Sequence, residues 1–185
     1  MKNTYILLLS LCSFLYCKSQ TTTKIVDTFI TSYNSKDSIV TSQILHKDFV
    51  ELWKKDTVIK GPTNYFKHYA WGKVMHDKEE IKIIQADSNS VITRSTYYSD
   101  RDRLLNITPY KSQRTYTIKD HQIIKIVGQG FQYYKAYDQP RRKKYDRFFS
   151  WLKQHHNLTT FDFPFDAKGA VKLKKTLLDY TKNGQ

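Results

Sequence analysis

Residues 91–127, VITRSTYYSDRDRLLNITPYKSQRTYTIKDHQIIKIV, decide the fold. Three runs in this stretch, 91–99, 111–119 and 123–127, are rich in β-branched and aromatic residues. They alternate apolar with polar side chains, the period of half-buried strands. Polar residues 100–103 predict a loop between the first two runs. Asp120 and His121 predict a tight connection between the last two. Because side chains alternate across a strand, Arg114, Tyr116 and Ile118 share one face, and Thr115 and Thr117 share the other. The stretch reads as an antiparallel meander.

Toward the N-terminus, Val26, Phe29, Ile30 and Tyr33 are spaced as one face of a helix over 24–33. Asp37 or Ser38 can cap a second helix over 39–45. Phe49-Val50-Glu51-Leu52-Trp53 alternates as a strand, and Gly61-Pro62 opens a third helix with Tyr65, Phe66, Tyr69 and Ala70 on one side. A strand over 80–86 and a turn cluster over 87–90 lead into the opening stretch. Beyond Gly128 and Gly130 the composition shifts. An aromatic segment over 133–137 precedes the basic run Pro140-Arg141-Arg142-Lys143-Lys144. Tyr145, Phe148, Phe149 and Leu152 then mark an amphipathic helix. Residues 161–165 are expected to be extended because Pro164 disfavours helix before it. Asp166 can cap a last helix lined by Ala170, Leu173, Leu177 and Tyr180. The class is α+β, and no internal repeat or low-complexity tract occurs.

The formal charge is +14. Such a balance raises nucleic acid as a partner, but the first residues redirect that reading. MKNTYILLLSLCSFLYCKSQ places Lys2 before an apolar run over 5–16, followed by small and polar residues, the layout of an export signal. The run is shorter than the about 20 residues a membrane-spanning helix needs. Cleavage after Ser19 gives a periplasmic or secreted protein. The alternative is lipidation at Cys17 and a membrane-anchored lipoprotein, although Tyr16 is bulkier than such signals favour. Both cysteines, Cys12 and Cys17, lie in this leader, so the remainder has no disulfide, thiol nucleophile or cysteine metal site. For an exported chain, nucleic acid is not the expected partner. Anionic membrane, acidic glycan or an anionic ligand fits the charge better. The expected organisation is a leader over 1–19, a domain over 20–134 and a basic, aromatic helical extension over 135–185.

The order helix, short helix, strand, Gly-initiated helix and four-strand meander resembles the NTF2-like superfamily. That group includes ketosteroid isomerases, SnoaL-type polyketide cyclases and plain binding proteins. The resemblance covers about residues 23–127. It is carried by YNSKDSIVTSQILHKDFVEL, which looks like the family's helix–helix–strand opening, and by TYTIKDHQIIKIV, which looks like its closing hairpin, with His121 where the family usually has Gly. The resemblance implies a curved, mostly antiparallel sheet wrapped on a long N-terminal helix and enclosing a conical pocket. It also implies homodimers through the outer sheet face. The isomerases use an Asp base together with a Tyr and a protonated Asp that hold the oxyanion. Matched residue by residue, these positions fall at Leu52, Phe29 and Arg114, none of which can play those parts. Fold alone does not assign a function.

The candidate site follows from these faces. Arg114 in an aromatic-lined pocket would pair with a carboxylate or phosphate, or else with an internal acid such as Glu51. Arg94, mid-strand, invites the same argument. Tyr116, Trp53, Tyr65 and Tyr69 would line the pocket or simply form core. Glu51 and His68 are the candidate catalytic groups, set against the plainer reading of a solvated carboxylate and a lone imidazole. The histidines show no metal-ligand spacing, and no phosphate loop or nucleophile elbow occurs, so neither metal nor cofactor is expected. The expected function is noncatalytic binding of a small apolar or anionic ligand by an exported domain. Its alternatives are an enzyme of SnoaL-like type with a non-standard catalytic set and an envelope protein-interaction module.

Overall fold

A computed structural model describes residues 21–131 and 133–184. The leader, its cleavage position and Cys17 lie outside the described residues. The described residues begin with helix α1 over 21–35. Val26, Phe29 and Ile30 are buried along one stripe of it, which is why the helix forms against a core. Lys36, with φ 61, ends α1 in the left-handed region. The Asp37 side chain accepts from Val40 N–H at 3.0 Å and caps α2, Ser38–Ile44. Then come β1 (Leu45–Trp53), β2 (Asp56–Lys60), α3 (Pro62–Val74), β3 (Lys78–Ala86) and β4 (Ser90–Tyr98). They are followed by α4 (Asp100–Leu104), β5 (Tyr110–Lys119), β6 (Gln122–Gln129), α5 (Tyr134–His156), a 3-10 turn over Thr160–Asp162 and α6 (Ala167–Asn183). The strands form one six-stranded sheet in the order β2-β1-β6-β5-β4-β3. β1 runs antiparallel to β2 and parallel to β6, and β6 runs antiparallel to β5, so the α+β fold has a mixed sheet. Among the described residues no helix is long and apolar enough to cross a membrane.

The chain divides into two compact units. The first holds the segments up to Pro62, Ile81–Ser95 and Gln113–Gln129. Its core sits between α1 and β1, β5 and β6, where Phe49, Tyr116, Ile123 and Ile126 are fully buried. The Phe29 ring meets Tyr116 edge-on, with centroids 6.2 Å apart. Ser32 and Thr41 share a buried hydroxyl–hydroxyl hydrogen bond of 2.9 Å that ties α1 to α2.

The second unit holds Thr63–Glu80, Thr96–Ser112 and the chain from Gly130. Trp71 and Met75 at the end of α3, and Leu105 and Ile107 after α4, pack with Phe148, Trp151 and Leu152 of α5. Phe163, Ala170, Leu173 and Leu177 from the last segment complete that core. Gly169 is required there, because a Cβ would stand 1.8 Å from the Pro164 carbonyl oxygen.

Four expectations need correction. Residues 100–103 are not a loop. They form α4, with Ser99 Oγ accepting from Arg101 N–H at 3.3 Å and two acids in the first turn. Their polarity suggested solvent, but Asp100 and Asp102 are buried against cations. Strand β2 was not anticipated; it is a short, largely exposed edge strand interrupted opposite Glu51/Leu52 by a register shift, and its polar sequence gives no apolar alternation. The helix expected over 145–152 extends over the whole of α5. Pro140 and the basic run lie inside it, because the preceding turns are held by polar and aromatic contacts that an apolar period does not reveal. The segment expected to be extended from Phe161 begins as a 3-10 turn. Thr159 and Asp162 close a capping box around it.

Candidate functional site

The site-bearing face of the first unit is built by register. Glu51 aligns with Ile126 and Trp53 with Gly128, while Tyr116 pairs with Ile126 and Arg114 with Gly128. Aligned residues project to the same side of a sheet. One row is therefore Glu51–Ile126–Tyr116 and the next is Trp53–Gly128–Arg114. Burial falls along this face. Phe49 and Tyr116 are fully enclosed, whereas Glu51, Trp53 and Arg114 are only partly covered. The Trp53 ring lies over Gly128, where an added Cβ would sit 2.9 Å from the indole edge. Gly128 thus makes room for the indole beside Arg114. A glycine within a strand pattern signals such a close approach, and that was the one clue to its part in the site.

Arg114 Nη2 stands 3.6 Å from Glu51 Oε1, with the two side chains 20% and 17% exposed. Two opposite charges at about 4 Å near a protein surface attract by roughly 4 kcal/mol before desolvation is subtracted. Each therefore cancels much of the other's field. The pair offers a ligand guanidinium donors and carboxylate acceptors side by side, with no net charge. Register also fixes the side of the sheet on which Leu52 lies. Leu52, the position matched to the isomerase base, aligns with Val127 and lies on the opposite side from Arg114 and Tyr116. The β1 side chain that meets Arg114 on this face is Glu51.

The other expected residues fall elsewhere. Arg94 is exposed, on the side of β4 opposite the buried Thr93 and Ser95, whose hydroxyls lie 3.2 Å apart. It does not join the Arg114 row, because alternation turns it outward. In the second unit, Tyr65 and Tyr69 are buried on α3 and form an aromatic cluster with Phe66, at centroid distances of 5.7 and 5.6 Å. His68 is partly buried and stacks on Phe165 at 4.7 Å, and burial holds its imidazole below its ordinary pKa, favouring the neutral form.

Sequence reading missed a second polar constellation, around α4. The Asp102 carboxylate accepts from Arg141 Nη2 at 2.7 Å and from the Tyr145 hydroxyl, with the Arg141 and Asp102 side chains 6% and 4% exposed. Arg141 also donates to the Thr108 carbonyl and lies 5.2 Å from the Tyr110 ring. Asp100 receives Lys174 Nζ at 2.7 Å, Arg103 at 2.9 Å and His76 Nδ1 at 2.8 Å. Burial alone would raise the Asp100 carboxyl, but hydrogen bonds from Lys174 and Arg103 outweigh it and hold the group below its ordinary value. Tyr145 is pushed well above the usual phenol range, first by burial. The acid–base alternation Asp100-Arg101-Asp102-Arg103 was the available signal. Its partners, Arg141 and Lys174, are distant in the chain. These groups satisfy one another, which suits a structural clasp. Among the described residues no group of three or more His, Cys, Asp or Glu is placed to hold a metal ion.

No protein-family model matches this sequence, and no curated protein matches it. Solved structures do match by fold. Bal32a, from a soil-derived mobile gene cassette, is similar with a TM-score of 0.52 and 12% identity, over 66% of this chain and 97% of that one. An M. tuberculosis LEH-like epoxide hydrolase is similar with a TM-score of 0.51 and 16% identity, over 66% and 92%. A candidate polyketide cyclase from Xanthomonas campestris pv. campestris is similar with a TM-score of 0.51 and 13% identity, over 62% and 93%. At such identities the likeness is one of fold.

Proposed function

We propose that this chain, whose fold is the NTF2-like fold, is an exported domain that binds a small apolar ligand bearing one polar group. The observation that carries the reading is the partly covered Arg114–Glu51 pair beside the Trp53 ring. An indole and buried aliphatic neighbours suit an apolar body, and the pair suits a hydroxyl or amide head that accepts from Arg114 and donates to Glu51, or a carbonyl that accepts from Arg114 alone. Glu51 supports an apolar ligand over an anionic one, both of which the composition allows. A carboxylate approaching Arg114 must compete with one already within 4 Å, so a neutral head is favoured.

Native mass spectrometry of the protein as isolated from cells tests this. The expected result is a retained small molecule that Trp53→Ala loses. Glu51→Gln is expected to weaken its retention while improving thermal stabilisation by fatty-acid or aryl-carboxylate probes. No adduct, together with no stabilisation by neutral or anionic apolar probes in either protein, would sink the reading. Homodimer formation belongs to the same proposal and is read from sedimentation velocity.

One observation favours a second reading as an enzyme. Glu51 lies on the Arg114 face of β1, where Arg114 can orient it as a general base and steady a developing anion. Turnover of an epoxide or an enolisable ketone, abolished by Glu51→Gln with folding intact, would establish it.

A further inference from the structure

We propose that the outer stripe of α6 and the loop before it form a docking surface for an anionic lipid bilayer. Phe161 is 95% exposed. It is nevertheless held in place, because the turn that carries it is closed by Asp162, which accepts from Thr159 N–H at 2.7 Å and Thr159 Oγ1 at 2.9 Å. Phe165, four residues on, is half exposed. Behind them α6 is oriented by its inner stripe, Ala170, Leu173 and Leu177, which is buried in the second unit's core. Its outer stripe therefore presents Lys168, Val171, Lys172 and Lys175, at i, i+3, i+4 and i+7, all exposed. Lys172 joins helix to loop: its Nζ donates to the Asp162 carbonyl at 3.3 Å and lies 5.3 Å from the Phe163 ring.

Charge complementarity selects the occupant. The nearby acids are engaged locally: Asp162 closes the 3-10 turn, Asp166 accepts from Gly169 N–H at 2.9 Å, and Asp179, one turn beyond Lys175, meets His156 Nε2 at 3.0 Å. Lys168 and Lys175 consequently face outward, with Lys172 bridging helix and loop between them, beside exposed aromatic side chains, the arrangement of an interfacial helix. A second copy of the same face would be repelled by like charge. Of the four cations in the basic run at Arg141–Lys144, which looks the stronger candidate on sequence, three are already engaged. Arg141 holds Asp102, Arg142 meets Asp138 at 2.5 Å, and Lys144 donates to the Asn106 carbonyl.

Vesicle co-sedimentation tests the proposal, with the protein in the form that cells accumulate. Vesicles of phosphatidylcholine alone are compared with vesicles containing about one-third phosphatidylglycerol. Anionic vesicles are expected to bind at least tenfold better, and the advantage should fade as salt is raised. Replacing Lys168, Lys172 and Lys175 by Gln should weaken anionic-vesicle binding about 100-fold, since each lysine near such a surface contributes roughly fivefold. Phe161→Ser should weaken it about tenfold and leave thermal stability unchanged. Equal binding to both vesicles would overturn the proposal. So would an equal loss on replacing Lys60, Lys82 and Lys125, which would reduce the effect to net charge. Retention on an acidic polysaccharide without vesicle binding would also overturn it.

Discussion

At the scale of single residues, the Glu51–Arg114 pair carries the functional reading, and its energetics can be measured independently of any ligand. Removing either partner leaves the other charge partly buried, which is expected to cost about 1–3 kcal/mol. Replacing both by Gln and Met should recover most of that loss. A denaturant double-mutant cycle is therefore expected to show a coupling of at least about 1 kcal/mol, and simple additivity would mean that the pair is incidental. Asp100 has a defined pH signature. Its folded-state carboxyl is held below its ordinary value by Lys174 and Arg103, with His76 also facing it. The stability it contributes is fully present above the unfolded carboxylate pKa and is lost as pH falls through the folded one. Asp100→Asn should be less stable than the parent at neutral pH, with the difference closing in acid. Melts across that window that ran parallel would contradict it.

At the scale of elements, the β5–β6 hairpin shows how far local chemistry reaches. Asp120 and His121 both adopt positive φ, 50 and 62, the pattern of a two-residue hairpin turn whose twist matches the strands. His at the second position is tolerated at a steric cost that Gly would not incur. His121→Gly is expected to stabilise by about 0.5 kcal/mol after allowing for the unfolded chain's added freedom. His121→Val should destabilise by roughly 1–2 kcal/mol, since a branched side chain is strained there. Opposite signs in thermal unfolding would confirm the turn type. The hairpin was legible because its residues contact their sequence neighbours. Helix α4 was not, because Asp100 and Asp102 find their cations 74 and 39 residues away, at Lys174 and Arg141.

At the scale of the whole molecule, the segment from Tyr134 onward is integral to the second unit. It supplies Phe148, Trp151, Leu152, Phe163, Leu173 and Leu177 to the core around Trp71 and Met75. Each such side chain contributes about 1.5–3 kcal/mol on burial, and their sum is comparable to a domain's entire net stability of about 5–15 kcal/mol. Deleting residues 135–185 is expected to abolish cooperative unfolding of that unit and to expose apolar surface that binds a hydrophobic dye. A truncated protein that melts cooperatively with native near-ultraviolet dichroism would show the segment to be peripheral.

By itself the sequence determined the α+β class, the meander, the capped helices and which residues share a strand face. Those features depend on backbone periods of 2 and 3.6 and on caps within a few residues. It also placed Arg114 and named Glu51 as one of its possible partners. Tertiary structure alone decided that the two do pair, that Leu52 rather than Glu51 turns away from Arg114, and that Gly128 makes room for Trp53. It also decided that a polar run around Asp102 is interior. Each of these depends on register or on a partner remote in the chain. A one-residue shift in register exchanges every inward side chain for an outward one, and no local pattern specifies that shift.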